Sequence, residues 1–182
     1  EGQISTWDRY HEFEIYIKEQ LNFVRSLENQ PKDLLTVRLH QPLNFPLGCE
    51  IARWNNFDGT LHLEYSKQIR KLISESRLVV YSYDSTGILE TLSQNIPTLA
   101  FWQNGLNHLR DNAKPYYQLL VDAGIVHFTS ESVAQKVNQV WSDVDRWWHQ
   151  GNVQEARIRF CEQYARQSRN PIKDLKLLLC NS

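Results

Sequence analysis

The spacing of apolar residues divides the chain into helical and extended segments. Residues 7–27 carry apolar side chains at steps of three and four, which predicts an amphipathic helix. Residues 34–39 form a short apolar run with a β-branched member, the pattern of a buried parallel strand. Runs of the same kind recur, and together they predict strands over residues 34–39, 59–64, 78–82, 97–102 and 125–128.

Helical patterns separate these strands. They fall near residues 49–54, 66–76, 85–94 and 116–123, and the chain reads as helical from about residue 129 to 179. Gly124 suits a helix C-cap, and Thr129 suits the start of the next helix. Strands that alternate with helices imply βαβ crossovers. We therefore predict an α/β fold, a Rossmann-like open parallel sheet flanked by helices, with the strands at 34–39, 78–82, 97–102 and 125–128 in one sheet and with C-terminal helices.

Length and composition restrict the class of protein. With 182 residues, 41% of them hydrophobic, the chain is expected to form one globular domain over residues 1–182. The net charge of -1 gives no electrostatic footprint for nucleic acid. No apolar run reaches the roughly 20 residues of a membrane span, and no signal peptide is recognisable.

The cysteines and the first residue indicate the compartment and the origin of the chain. The three cysteines are widely spaced, which predicts free thiols in a reducing compartment. The chain begins at Glu1 and contains no methionine, so we expect it to be an excised part of a longer protein. Trp141, Trp147 and Trp148 lie among valines and are expected in the core rather than in a sugar-stacking platform.

The loop after residues 78–82 carries the strongest candidate site. In a parallel sheet, ligands bind beyond the carboxyl ends of the strands, where helix N-termini offer free amides. Ser85 and Thr86 can donate hydroxyl hydrogen bonds to a phosphate, and Gly87 allows close approach. Glu90, one helical turn after Thr86, can accept hydrogen bonds from sugar hydroxyls. The alternative is a simple N-cap cluster. The predicted substrate-binding residues of this loop are Ser82, Asp84, Ser85, Thr86, Gly87 and Glu90.

Two further pairs follow other strands. Arg38 and His40 lie on the same side of a strand end and can hold a phosphate by charge-assisted hydrogen bonds, although His40 could equally be an ordinary loop residue. His108 and Arg110 follow residues 97–102 and could reach a leaving group, or could merely begin a solvated helix.

No histidine or cysteine pair has the spacing of a zinc site, so no metal is expected. Ser85 lacks a G-x-S-x-G elbow, which argues against a hydrolase.

The stretch SRLVVYSYDSTGILETLSQNIPTLAFW resembles the C-terminal half of GT-B nucleotide-sugar glycosyltransferases. It is most similar to bacterial O-antigen or capsule biosynthesis transferases, and more distantly to CDP-glycerol glycerophosphotransferases. The matching features are the small-residue loop, the acidic residue on the next helix, and residues 95–98 before the next strand. Residues 37–40, 123–128 and 141–148 also fit, whereas the phosphate loop lacks the usual paired glycines.

The resemblance implies a function and a set of partners. The chain would be the donor-binding half of a glycosyltransferase that uses a nucleotide-activated sugar in surface polysaccharide synthesis. Arg38 and His40 would act in catalysis, and an N-terminal acceptor-binding domain absent from this chain would complete the enzyme. No cofactor or metal is implied, and the expected location is the cytoplasm, including the inner face of the membrane. Alternatives of the same fold are a nucleotide-sugar epimerase, a polyol-phosphate transferase and a non-enzymatic interaction domain.

Overall fold

The computed structural model describes residues 6–39, 47–168 and 170–180. It is an α/β structure in which short parallel sheets are flanked by helices. The strands are β1 (Thr36–Arg38), β2 (His62–Glu64), β3 (Val79–Tyr81), β4 (Thr98–Phe101) and β5 (Val126–His127). The helices are α1 (Thr6–Ser26), α2 (Asn29–Asp33), α3 (Leu47–Phe57), α4 (Ile69–Glu75), α5 (Thr86–Ser93), α6 (Lys114–Asp122), α7 (Ser130–Val140), a 3₁₀ turn (Trp141–Asp143), α8 (Val144–Trp148), α9 (Gly151–Tyr164) and α10 (Pro171–Cys180).

All strand pairs in the described chain are parallel, as predicted. The order β3-β4-β5 forms one sheet, with Val79 opposite Thr98 and Ala100 opposite Val126. β1 instead pairs with β2, so the prediction that residues 34–39 join the other three strands in one sheet is wrong. The reason is local, because α3 is a βαβ crossover that brings β2 directly beside β1.

The entry into β1 also differs from the sequence interpretation. Residues 29–33 form the short helix α2, in which Pro31 occupies the first turn, where its missing N–H costs nothing. Leu34 follows as the C-cap of this helix and is 67% exposed, so it does not belong to a buried strand. Only Thr36–Arg38 remain extended.

The core gathers around β4, whose four residues are all buried. Two groups of helices contact this sheet. α9 packs on both α5 and α6, and α7 packs on α1. Both groups meet the sheet, since α5 and α7 contact β4, while α6 and α7 contact β5. The C-terminal helices thus complete the α/β layer.

Tryptophans 147 and 148 lie in this core, as expected from the sequence. Trp148 is fully buried, and its indole N–H donates to the carbonyl of Asn95 at 3.1 Å and to its side-chain oxygen at 3.0 Å. Asn95 has a left-handed backbone with φ of 58°, which an asparagine tolerates. Trp141 is only partly buried, with the Arg77 guanidinium 5.1 Å from its ring centroid. The segment between α5 and β4 is therefore fixed by a C-terminal helix.

Helix α1 contacts both β4 and α3. Phe23 and Val24 are buried in the core, and Phe23 stacks on Phe101 of β4 at 5.5 Å. Two arginine–phenylalanine contacts join α1 to α3 in reciprocal fashion: Arg25 of α1 over Phe57 at 4.9 Å, and Arg53 of α3 over Phe13 at 5.6 Å.

In the described part of the chain, no helix has the length and apolar character needed to cross a membrane. Cys161 and Cys180 are free thiols.

Candidate functional site

The start of α5 lies directly beyond the carboxyl end of β3. Ser85 is its N-cap residue, with an extended backbone, and its side chain makes no capping hydrogen bond. Its carbonyl accepts the N–H of Ile88 at 3.1 Å, which begins the helical ladder. The amides of Thr86 and Gly87 precede any intrahelical acceptor, and they carry the positive end of the helix dipole. This terminus can hold an anion.

Gly87 is explained by packing on the strand below it. A Cβ at this position would lie 2.7 Å from Cε1 and 2.9 Å from the hydroxyl oxygen of Tyr81. The glycine therefore lets the Tyr81 ring lie against the first turn of α5. Burial raises the pKa of Tyr81, and the charge of Glu90 adds to that effect. The role predicted for Gly87, access of a ligand to the backbone, is thus accompanied by a second constraint inside the protein.

Ser82 is bound by α1 rather than left open. Gln20 donates from Nε2 to the Ser82 Oγ at 2.9 Å and to the Tyr16 hydroxyl at 2.8 Å. The Tyr16 hydroxyl in turn lies 3.2 Å from Ser82 Oγ. Tyr16 also meets the ring of Tyr83 edge-on at 6.2 Å. The Ser82 hydroxyl anchors α1 at the carboxyl edge of the sheet.

Asp84 is the centre of a second set of contacts. Its Oδ2 lies 3.0 Å from Nε2 of His108, and its Oδ1 accepts a hydrogen bond of 3.3 Å from the Tyr117 hydroxyl. Burial raises the pKa of Tyr117, and the Asp84 carboxylate raises it further. Tyr117 thus stays protonated and donates. The structure brings the predicted residues Asp84 and His108 together from loops 24 positions apart.

The loop after β4 folds back to deliver His108. Asn104 and Gly105 both adopt left-handed backbones, with φ of 68° and 60°. The Trp102 indole N–H donates to the carbonyl of Gly105 at 2.8 Å, and the Trp102 ring meets His108 at a right angle, 5.9 Å away. Arg110, two residues further on, is exposed.

Glu90 projects from α5 one turn after Thr86, and both side chains are exposed. Its carboxylate has no ion-pair partner among residues 6–39, 47–168 and 170–180. Its negative charge adds to the effect of burial in raising the pKa of Tyr81, the last residue of β3. The carboxylate is available to a ligand beside the helix terminus.

The pair predicted from β1 is not joined to this cluster. The Arg38 guanidinium donates to the backbone carbonyls of Leu39 and Glu64, while its buried Nε has no partner in the described structure. These bonds secure the end of the β1–β2 sheet, and none links Arg38 to the residues around Asp84. His40 lies outside the described residues.

Sequence patterns missed the residues that arrive from a distance. Tyr16, Gln20 and Tyr117 all lie on helices, where each was compatible with an ordinary amphipathic face. Only their position beside Ser82 or Asp84 in the folded chain reveals them. A polar residue on an otherwise apolar stripe, such as Gln20 beside Ile17 and Leu21, is the sole local hint.

A depression of about 550 Å³ elsewhere is lined by residues of α7 and β5, including His127, Ser132 and Lys136, and by none of the predicted site residues. His127 is held by Ser132 Oγ at 2.7 Å, and burial lowers its pKa. Among the residues that the structure describes, no group of histidines, cysteines and carboxylates could bind a metal ion. The predicted site residues that contact one another, Asp84 and His108, lie at the carboxyl edge of β3 and β4.

A helix N-terminus at the carboxyl edge of a parallel sheet is a typical position for binding phosphorylated ligands in α/β proteins. Comparison with protein-family models gives the class of protein. The model of the LIC12162 family transferase matches residues 2–179, and the chain belongs to that family. Neither the curated proteins nor the solved structures contain a significant match. The chain is therefore a member of a transferase family.

Proposed function

We propose that this chain is the donor-binding half of a glycosyltransferase of GT-B type. It would bind a nucleotide-activated sugar that is transferred during surface polysaccharide synthesis. The observation that carries the proposal is the convergence of the α5 terminus, Glu90 and the Asp84–His108 pair at one edge of a parallel sheet, in a chain of a transferase family. A polyol-phosphate donor would use the same groups.

The roles divide along helix α5. Ser85, Thr86 and the first amides hold the donor's phosphates, since hydroxyls and dipole both favour an anion there. Glu90, one turn later, accepts hydrogen bonds from the ribose or sugar hydroxyls. His108 and Arg110 lie toward the leaving phosphate. Catalysis then consists of positioning and of stabilising the charge that develops on the departing phosphate.

The rest of the enzyme follows from the same proposal. An acceptor-binding domain outside this chain would close over the donor and supply the general base, and Arg38 and His40 would contribute positive charge from the β1 side. The working location is the cytoplasm, at the inner face of the membrane where polysaccharide acceptors are built.

The first experiment is a thermal-shift screen of the 182-residue chain against UDP, GDP, CMP and CDP. A selective rise in Tm with one nucleotide identifies the donor class, because a ligand that binds only the folded state stabilises it. No shift with any nucleotide, in a chain that melts cooperatively, would contradict the proposal and favour an interaction domain. Conversion of a free nucleotide-sugar without an acceptor would indicate an epimerase.

A substitution in α5 tests the division of roles. Glu90→Gln keeps the shape of the side chain and removes its charge, so it should weaken binding of the matching nucleotide-sugar by roughly 10-fold or more, the value of a charged hydrogen bond. Inorganic pyrophosphate should bind at least as well, because a nearby negative charge is gone. Isothermal calorimetry measures both, and Glu155→Gln on α9 is the matched control. Equal losses for both ligands, or none for either, would refute these roles.

A further inference from the structure

The Asp84 carboxylate is committed to partners within the protein. One oxygen accepts from the Tyr117 hydroxyl, and the other pairs with His108. Only 22% of the side chain is exposed. With one partner on each oxygen and little exposed surface, the carboxylate offers limited access to a ligand's hydroxyls. Its placement beside a half-exposed histidine indicates that it acts on that histidine.

Tyr117 fixes the carboxylate from the side of α6. Its ring meets Phe160 of α9 at 5.0 Å and Trp102 at 6.2 Å, so the tyrosine is held by aromatic contacts on both sides. Burial, followed by the charge of Asp84, raises the pKa of Tyr117, and the phenol remains a donor. Asp84 is thereby locked in one orientation before any ligand arrives.

His108 is the member of this set that faces outward. Because a carboxylate can only accept, Nε2 of His108 carries the hydrogen in the 3.0 Å contact with Asp84. In the described structure, Nδ1 makes no hydrogen bond, and 43% of the side chain is exposed. The histidine pairs with the residue that immediately precedes Ser85, the N-cap of α5. Nδ1 is the nitrogen left for a ligand.

We propose that Asp84, supported by Tyr117, is a positioning residue that orients His108 so that the imidazole takes up a proton when a phosphate of the donor binds, and its Nδ1–H donates to that phosphate. The inference rests on the proposed function, since it assumes a phosphate at the start of α5. An imidazole between a carboxylate and a phosphate is flanked by two anions, and both favour its protonated form. The bound anion therefore draws a proton onto His108.

The surroundings of His108 contain few other groups that could produce the same effect. Asp84 is the charged residue from the β3–α5 loop, Tyr117 is the titratable residue of α6 that bonds to Asp84, and Trp102 after β4 carries no charge. Arg110 is the nearest cation along the same loop, and the Asp111 and Lys114 that follow it pair with each other at 2.7 Å. Proton uptake on binding an anion at this edge is thus assigned to His108.

The test measures proton uptake by calorimetry at pH 7.5 in buffers of different ionisation enthalpy. The probe is P1,P2-dimethyl pyrophosphate, a diester with no group that titrates near neutral pH. The wild-type chain should take up a measurable fraction of a proton on binding. His108→Gln should abolish the uptake and weaken binding roughly 10-fold or more. His149→Gln, an exposed histidine that bonds the carbonyl of Asp145, is the matched control and should behave as wild type.

Two variants separate positioning from mere structure. Asp84→Asn can still accept from Nε2 but has no charge, so only the bound anion favours the imidazolium and the proton uptake should fall well below that of the wild type. Tyr117→Phe keeps the Asp84 charge, so it should retain the uptake even if Tm falls. Circular dichroism and the melting curve establish that each variant is folded.

The possible results separate the two proposals. If dimethyl pyrophosphate binds and His108→Gln changes neither affinity nor proton uptake, the role of His108 is wrong while the proposed function stands. If neither this probe nor any nucleotide binds the folded chain, the proposed function fails and this inference with it. An equal fall in uptake in Tyr117→Phe and in Asp84→Asn would also overturn it, because the carboxylate charge would then not be the cause.

Discussion

The two parallel sheets of this protein differ in how they are covered. In the β3–β4–β5 sheet, all four residues of β4 are buried, and helices α5 and α7 contact this strand. In the β1–β2 sheet, the first residue of each strand is exposed and the others are only partly buried. Helical cover has thus made one sheet the centre of the core, whereas the other lies at its margin.

The same difference appears where the strands end. After β2, the carboxylate of Glu64 is bonded by Ser66 and Lys67, its close neighbours in sequence. After β3, Asp84 is bonded by His108 and Tyr117, which lie 24 and 33 positions away. The carboxylate beyond β3 is thus bonded by residues from distant elements, whereas the carboxylate at the end of β2 is bonded by its neighbours in sequence. A site assembled from several elements is expected at the former.

The largest expected effect compares one substitution in both sheets. Leu99→Ala in β4 removes a fully buried side chain and should cost about 2–5 kcal/mol of unfolding free energy, the range for leucine in a packed core. Leu63→Ala in β2, where the side chain is only partly buried, should cost no more than about half of that. Urea denaturation of the two variants measures the difference. Equal losses would show that the marginal sheet is as well packed as the central one.

The fold could be predicted where the pattern was long or strongly apolar. The run before Tyr81 and the run from Thr98 to Phe101 gave parallel strands, and Thr129 caps α7 by accepting from the Ser132 amide at 3.1 Å. The pairing of β1 was not predictable, because a three-residue strand carries no information about which neighbour it will bond. The exposed Leu34 shows the same weakness, since apolar character alone did not reveal that the residue ends a helix.

The candidate site likewise contains a part that the sequence predicts and a part that it does not. The α5 terminus was predictable because Ser85, Thr86 and Glu90 are close in sequence and their spacing is set by the helix. The partners of Ser82 and Asp84 were not, because they depend on how α1 and α6 pack on the sheet. Local geometry follows from spacing, but contacts between elements follow from packing that spacing does not determine.

The prediction of intermediate size tests whether packing against Tyr81 or access for a ligand requires a glycine at position 87. Gly87→Ala places a methyl group within 3.0 Å of the Tyr81 ring, and such overpacking costs about 1–3 kcal/mol. The gain in helix propensity, about 1 kcal/mol, offsets only part of it. Thermal unfolding should therefore show a lower Tm.

Gly151→Ala at the start of α9 is the control, because its added Cβ would have no neighbour within 4 Å. That variant should be as stable as wild type or slightly more so. Combining Gly87→Ala with Tyr81→Leu should destabilise by less than the sum of the two single changes, because the clash disappears. If Gly87→Ala proved as stable as Gly151→Ala, the contact with Tyr81 would not explain the glycine.

The smallest expected effect concerns the end of the marginal sheet. The Glu64 carboxylate accepts from the amide of Lys67 at 2.9 Å and from the amide and hydroxyl of Ser66 at 2.7 and 2.9 Å. These bonds lower the pKa of Glu64 to about 2, and the bond from the Lys67 amide contributes most. The unfolded chain, with an ordinary glutamate value, therefore binds a proton more readily than the folded chain. The contribution of Glu64 to stability is present above about pH 4.5 and is lost as the pH falls toward about 2.

Glu64→Gln should lower Tm slightly at pH 6, and the difference from wild type should shrink steadily in melts at pH 5, 4 and 3. Glu155→Gln should run parallel to wild type over the same range. A Glu64→Gln difference that stayed constant with pH would mean that shape, rather than the carboxylate charge, holds the turn after β2.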